Sequence, residues 1–289
     1  MANKDNNRKV EITALNETSI TVYMEGYRLA LANAIRRIVL SDVPTLAVDF
    51  AYFYDNSTGV PDEIIAHRLG LIVLDSLEAI RKLRPPEECR EASEKDESCY
   101  VEILLNKEHP QEAESGIYVL AEELSFSHPY VKPVYPKTPI VYLAPGQKIY
   151  LVAYARLGRG REHGKWMPAS ASILQYLPVV EFDGEGASSE CLECISAYRD
   201  LAKRMARGEK GVIEYKRNIN TSGLLYCYES GVCGDKLKLR YDENRLLLTV
   251  ESTGALPPEI IVEEAINTLK TRVTRVLEEL DKAVVVEKR

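Results

Sequence analysis

The sequence predicts an α+β fold of two domains and a small insertion. Three observations point that way. Runs of period-two alternation recur along the chain, amphipathic helical patterns stand near its two ends, and a cysteine-bearing stretch at 183–235 differs in composition from what surrounds it. With 289 residues, 45% hydrophobic and 28% charged, the chain can bury a real core.

At the start, Val10, Ile12 and Ala14 alternate with polar residues, and Ile20, Val22 and Met24 do the same, so two strands joined by a turn at 15–18 are expected. A helix follows over about 27–40, with Leu31, Ala34, Ile35 and Ile38 on one side, ended by Val43-Pro44. An extended segment at 46–53 leads to a second helix near 61–69, with Gly70 at its C-cap. The polar stretch 84–98 reads as a surface loop. Strands are expected at 100–105, 116–120, 140–143 and 148–157, and Pro129, Pro133, Pro136 and Pro139 mark an irregular connection among them. Residues 51–169 thus read as a β-rich domain, followed by a strand over 171–182. After the cysteine-bearing stretch, Leu237, Leu239 and Tyr241, then Leu246, Leu248 and Val250, suggest a hairpin with its turn at 242–244.

The last element is the most informative. Pro257-Pro258-Glu259 is a helix start, and Val262, Ile266, Leu269, Val273, Val276 and Leu280 then recur in steps of four and three. Such an a/d seam needs a surface along its whole length: its own sheet, another chain, or, with Ala265 and Leu277 widening the stripe, both.

The net charge of −7 lacks the basic balance of a protein that grips nucleic acid alone, so a protein partner is favoured. No apolar run reaches the ~20 residues of a membrane helix and the first nine residues are polar, which leads to the expectation of a cytoplasmic protein. Only Gln111, Gln147 and Gln175 occur as glutamines among many charged residues, which suits a thermophilic source. There is no phosphate-binding glycine loop, nucleophile elbow, paired-histidine zinc motif or dense aspartate cluster, and His67, His109, His128 and His163 are scattered, so no catalytic residue is expected. The basic, glycine-rich run 157–169 holds the sole tryptophan, Trp166, and reads as a mobile loop or a contact for an acidic or phosphate-bearing surface.

Cysteines leave alternatives. Cys191 and Cys194 form a C-x-x-C, and Cys227 and Cys233 flank Ser230 at equal spacing; together they could hold zinc or an iron–sulfur cluster, or form disulfides. Cys89 and Cys99 bound the polar loop, where a disulfide or two thiols is the expectation.

The run Asn33-Ala34-Ile35-Arg36-Arg37-Ile38-Val39-Leu40-Ser41-Asp42-Val43-Pro44 resembles the signature helix of α-type RNA polymerase subunits, the family of the bacterial α N-terminal domain, the archaeal D subunit and the eukaryotic Rpb-three type. His67-Arg68-Leu69-Gly70-Leu71-Ile72 resembles the motif that follows it in the archaeal and eukaryotic branches, and the 157–169 run and the final helix match in order. The resemblance implies a discontinuous dimerisation domain (1–50, 170–186 and 235–289), the β-rich domain at 51–169, and a degenerate ferredoxin-like insertion at 187–234. It implies heterodimerisation with the small L subunit and docking of the large B and small N and P subunits, with A reached indirectly, nucleic acid met only through the assembled polymerase, and no membrane. Leu31, Ile35 and Ile38 with the seam Val262, Ile266, Leu269, Val273, Val276 and Leu280 would face the dimer partner, Arg36, Arg37, His67 and Arg68 the large subunits, and Asn33 counts among the partner-interface residues. Some relatives carry an iron–sulfur cluster on a C-x-x-C-x-x-C pattern; here Ser230 stands at the middle position, leaving a cluster or disulfides at Cys191, Cys194, Cys227 and Cys233. The loop 89–99 lies where eukaryotic relatives bind zinc with four cysteines; with two, no zinc is expected. Against this scaffold stand two rivals of other classes, an iron–sulfur redox or electron-transfer module and a free nucleic-acid-binding protein.

Overall fold

The structure, a computed structural model, describes residues 8–89, 91–215 and 219–287. Strands β1 (Lys9–Leu15) and β2 (Ser19–Glu25) pair antiparallel, Val10 opposite Met24 and Ile12 opposite Val22. Their turn is closed by Asn16, whose Oδ1 accepts from the N–H groups of Thr18 and Ser19. Gly26, at φ 75°, supplies the left-handed step that swings the chain into α1 (Leu29–Ser41). That helix buries Ala32, Ile35, Ile38 and Val39, recurring at helical spacing.

Val43-Pro44 stops α1, and β3 (Pro44–Asn56) begins at once. Next come α2 (Asp62–Gly70), with acids in its first turn and His67 and Arg68 in its last as the helix dipole favours, and the short α3 (Ala79–Lys82). Then follow β4 (Tyr100–Glu108), β5 (Ile117–Leu120), β6 (Ser125–Phe126), β7 (Pro139–Leu143), β8 (Lys148–Arg159) and β9 (Ala169–Asp183). The cysteine-bearing stretch gives α4 (Ser189–Cys194), α5 (Arg199–Ala206), β10 (Lys210–Glu214) and α6 (Ser222–Glu229). The chain closes with β11 (Leu237–Ser252) and α7 (Pro258–Glu287).

The chain divides into two compact units. The first comprises the residues up to Leu15, Ile20–Asn33 and Ile173–Thr249. It is built on a five-stranded sheet in the order β1-β2-β11-β9-β10. Its cysteine-bearing part has its own core, in which Ile195, Leu201, Met205 and Leu224 pack with Val180, Phe182 and Leu237. The second unit comprises Asn16–Ser19, Ala34–Ser172 and the chain from Val250. Here β3-β8-β4-β6 form one sheet and β5-β7 another. Alternate residues of these strands, among them Ile103, Leu105, Ile149, Leu151 and Ala153, turn inward onto Ile65, Leu69 and Leu74.

The hairpin expected at 237–250 is a single strand: β11 runs unbroken for 16 residues. The polar group at 242–244 is not a reversal. Asp242 accepts from the Asn244 N–H at 2.9 Å and from Arg245 Nε at 2.7 Å, so the turn-forming residues satisfy one another within the strand. Leu246, Leu247 and Leu248 are all buried, as befits a strand with neighbours on both sides and cover on both faces.

Candidate protein–protein interface

Helix α7 starts buried and ends bare. Ile261 and Ala265 are fully buried, and Val262 and Leu269 are half-buried. The rest of the seam is not covered by the chain: Ile266 is 47% exposed, Val273 51%, Val276 58% and Leu280 56%, with Leu277 at 57% beside them. Every residue from 271 to 283 is exposed. Apolar side chains at this spacing and exposure form a stripe awaiting another surface.

On α1 the chain leaves one residue of the expected apolar set exposed and buries two. Leu31 is exposed, and Leu29, which the pattern did not single out, is exposed with it. Ile35 and Ile38 are 8% and 4% exposed, so the chain itself buries the two isoleucines expected to face a partner. Asn33 and Arg36 are half-buried and Arg37 is exposed. His67 and Arg68 are exposed at the end of α2, where Arg68 Nη1 donates to the Ile140 carbonyl at 2.8 Å and so fixes its own stem. On edge strand β1, Val10, Ile12 and Leu15 are all more than half exposed, although Val10 and Ile12 stand opposite buried Met24 and Val22. Sequence alternation marked them as one face of a strand but not as an uncovered one.

Asp42, the last acid of the signature run, is the hub of a charged cluster that sequence reading did not find. It is 4% exposed. Its carboxylate accepts from the Ser41 hydroxyl at 2.5 Å, pairs with Arg161 at 3.2 Å and is in short contact with Arg272 of α7. Arg159 donates to the Asp42 carbonyl and forks onto both oxygens of Glu87 at 2.7 and 3.0 Å. Burial alone would push the Asp42 carboxyl up; the Ser41 hydroxyl and the cations of Arg272 and Arg161 outweigh it and hold the group below its ordinary value. The middle of α7 is therefore tied by charge to the residue that follows α1.

The 157–169 run is ordered, not a free basic loop. Trp166 is 3% exposed and donates its Nε1 hydrogen to the Arg156 carbonyl, so it is a core residue and not an interface anchor. The Arg156 guanidinium and the Lys165 ammonium lie 4.5 and 4.3 Å from its ring centroid, and both pair with Asp49. Gly158 lies against the Trp166 ring and Gly160 against the Leu40 carbonyl, each too close for a Cβ. The histidines have local jobs: His109 Nε2 meets the Ser115 carbonyl, His128 Nδ1 meets the Ser127 hydroxyl, and His163 Nδ1 accepts from the Lys165 N–H.

The cysteines resolve into three disulfides: Cys89–Cys99, Cys191–Cys233 and Cys194–Cys227. The first clasps the polar loop. The other two cross-link the α4 segment to α6 and the turn after it, so the four sulfurs that an iron–sulfur cluster or zinc would need are bonded in pairs, and Ser230 stands where a further ligand would be. The residues do not fit a cluster, and no group of three or more metal-ligating side chains occurs among the described residues. Of the two alternatives the sequence left open at these cysteines, the structure supports the disulfides and gives no support to a cluster or to the redox module that would rest on it.

Among the described residues no helix is long and apolar enough to cross a membrane. Residues 21–273 match the RNA polymerase Rpb3/Rpb11 dimerisation domain. The chain is 50% identical over 280 residues to DNA-directed RNA polymerase subunit Rpo3 of Aeropyrum pernix, covering 97% of this chain and 98% of that one. It is 33% identical to subunit Rpo3 of Methanothermobacter thermautotrophicus, over 90% and 94% of the two chains. It is also 29% identical to DNA-directed RNA polymerases I and III subunit RPAC1 of mouse, over 96% and 86%. The family match spans most of both units, takes in the signature run of α1 and reaches along α7 as far as Val273: this chain belongs to the Rpb3/Rpb11 family of α-like RNA polymerase subunits.

Proposed function

We propose that this chain is the non-catalytic assembly platform of an archaeal DNA-dependent RNA polymerase, acting in the cytoplasm. It heterodimerises with the small L subunit, docks the large B and small N and P subunits, and reaches A indirectly. Nucleotidyl transfer belongs to the complex. The observation that carries this reading is the uncovered seam of α7, Ile266, Val273, Val276 and Leu280, on a chain of a dimerising family. A folded chain that leaves such a stripe in water is built to lose it to a partner.

In this reading the α7 seam and the exposed Leu31 of α1 are each offered to the dimer partner, while Ile35 and Ile38 serve the chain's own core. Arg37, His67 and Arg68 are offered to the large subunits, with Arg36 and Asn33 at the margin. Residues 1–50, 170–186 and 235–289 act as the dimerisation domain, 51–169 as a β-rich docking domain, and 187–234 as a ferredoxin-like insertion held by disulfides in place of a cluster.

The test is affinity purification of the tagged chain from its native source, with mass spectrometry of what accompanies it. Stoichiometric recovery of the large polymerase subunits and a small α-like chain is expected. Recovery of the chain alone, or with redox proteins, refutes the reading.

A further inference from the structure

The outward face of the β3-β8-β4 sheet is aromatic and acidic, and the dimer reading makes no use of it. β3 presents Tyr52 and Tyr54 there, β8 presents Tyr150 and Val152, and β4 presents Leu104. The register aligns them across the three strands, Tyr52 and Leu104 each standing opposite Val152. These are not side chains waiting to fill a core. The inward residues of the same strands, Ile103, Leu105, Leu151 and Ala153, already do that, while Tyr54 is 63% exposed and Tyr52 47%. Tyr54 and Tyr150 stack with centroids 5.0 Å apart.

Two acids on this face lack a cation among the described residues. Glu94, from the loop clasped by Cys89–Cys99, accepts from the Tyr52 hydroxyl at 2.8 Å. Glu102, on β4, accepts from the Tyr154 hydroxyl at 3.1 Å. Burial first, and then that hydrogen bond, pushes Tyr154 up to about 12, so the phenol stays a donor. Among the described residues neither glutamate has a lysine or arginine in ion-pair reach, whereas Asp55 at the far end of the face is paired with Lys148.

We infer that this face docks an arginine- and lysine-bearing segment of another protein chain, whose cations stack on Tyr52, Tyr54 and Tyr150 and pair with Glu94 and Glu102. Tyrosine rings attract guanidinium groups to their faces, and a carboxylate accepting only a phenol hydrogen bond has lone pairs left for a bidentate arginine. Leu104 and Val152 supply the apolar floor against which the stems of such side chains lie. Nucleic-acid bases also stack on tyrosine, but the same carboxylates and the net charge of −7 repel their phosphates. A second copy of this chain would bring the same acids face to face.

The experiment is fluorescence anisotropy on the full chain, titrated with three labelled probes: a short peptide alternating arginine and leucine, the same peptide with glutamate for arginine, and a short oligothymidylate. The arginine peptide is expected to bind at least ~10-fold more tightly than either other probe, as paired charge and stacking require. Glu94→Gln with Glu102→Gln weakens it by roughly 10-fold, and Tyr54→Leu with Tyr150→Leu, which keeps apolar area and removes the rings, by about 3-fold. Glu278→Gln with Glu279→Gln, the same change of charge on α7, leaves it unaltered. Equal binding of the two peptides, tighter binding of the oligonucleotide, unchanged affinity in both face variants, or an equal loss in the α7 variant overturns the inference. It can fail while the polymerase reading stands, since the chain is tested alone.

Discussion

Replacing Val273 tests the dimer seam where its two requirements, exposure in the free chain and burial in the pair, can be separated. Val273 is 51% exposed in the middle of the uncovered stretch of α7. Fully burying a valine side chain is worth about 1.5–3 kcal/mol, and half of this one is already covered, so the partner gains roughly 1 kcal/mol from it. Val273→Ala should therefore weaken the heterodimer only about 5-fold, at ~1.4 kcal/mol per decade. Val273→Asp loses the same contact and also strands a carboxylate in a drying seam. With about 2 kcal/mol for the uncompensated polar group, the total nears 3 kcal/mol and the loss reaches ~100-fold. The free chain should hardly notice, because substituting an exposed residue that makes no hydrogen bond or ion pair of its own moves stability by about 0.5 kcal/mol or less. Calorimetric titration of the small partner into wild-type and variant chains, with thermal melts of each chain alone, reads both quantities. Binding by Val273→Asp within 3-fold of wild type would refute the seam as the interface. A large fall in the melting point of the free chain would show that Val273 packs on its own fold.

Asp42→Asn should destabilise the chain by about 2 kcal/mol, below the full penalty of a broken buried pair because Arg161 and Arg272 are themselves 46% and 45% exposed. Since the folded Asp42 carboxyl titrates below 3.8, its contribution is complete above that pH and fades as pH falls through the lower folded value, so urea melts from pH 5 downward should lose less stability in the variant than in wild type. Reducing Cys191–Cys233, which closes a 42-residue span, should cost about 4 kcal/mol on the loop-entropy scale, and Cys194–Cys227 nested inside it less than its 33 residues imply; dithiothreitol should thus raise amide exchange in α4–α6 well before β3 and β8. Gly158→Ala drives a methyl into the Trp166 ring and should cost about 1–3 kcal/mol with a shifted tryptophan emission, whereas Gly164→Ala, which meets nothing, should leave both unchanged.

What could be read from the sequence was what repeats. The 3.6 and 3.5 periods of α1 and α7 and the alternation of β2, β4 and β8 are local properties, and the elements lie where those periods run. Closures made at a distance were not legible. Nothing local tells that Asp42 gathers arginines from residues 159, 161 and 272, or that Cys191 bonds Cys233 across 42 residues instead of its C-x-x-C neighbour. Trp166 misled for a related reason: flanking glycines and cations suggested a loop, yet Gly158 leaves room for the ring, and the cations of Arg156 and Lys165 lie close to it. At Ile35 and Ile38 a single helix carried two apolar demands, and periodicity alone could not say which residues serve the chain's own core.

The bare end of α7 also bears on how much of this chain a cell keeps. From residue 271 to 283 every residue is exposed, and a helical stretch of that length holds only marginally in water by itself. In a newly made, solitary chain that stretch opens and recloses on its own, at far less cost than unfolding the sheets. A protease that samples the open form removes orphan chains first, while a partner lying on the seam closes that route. On the proposed function, about three turns of uncovered helix would make the amount of this chain follow the supply of its partner.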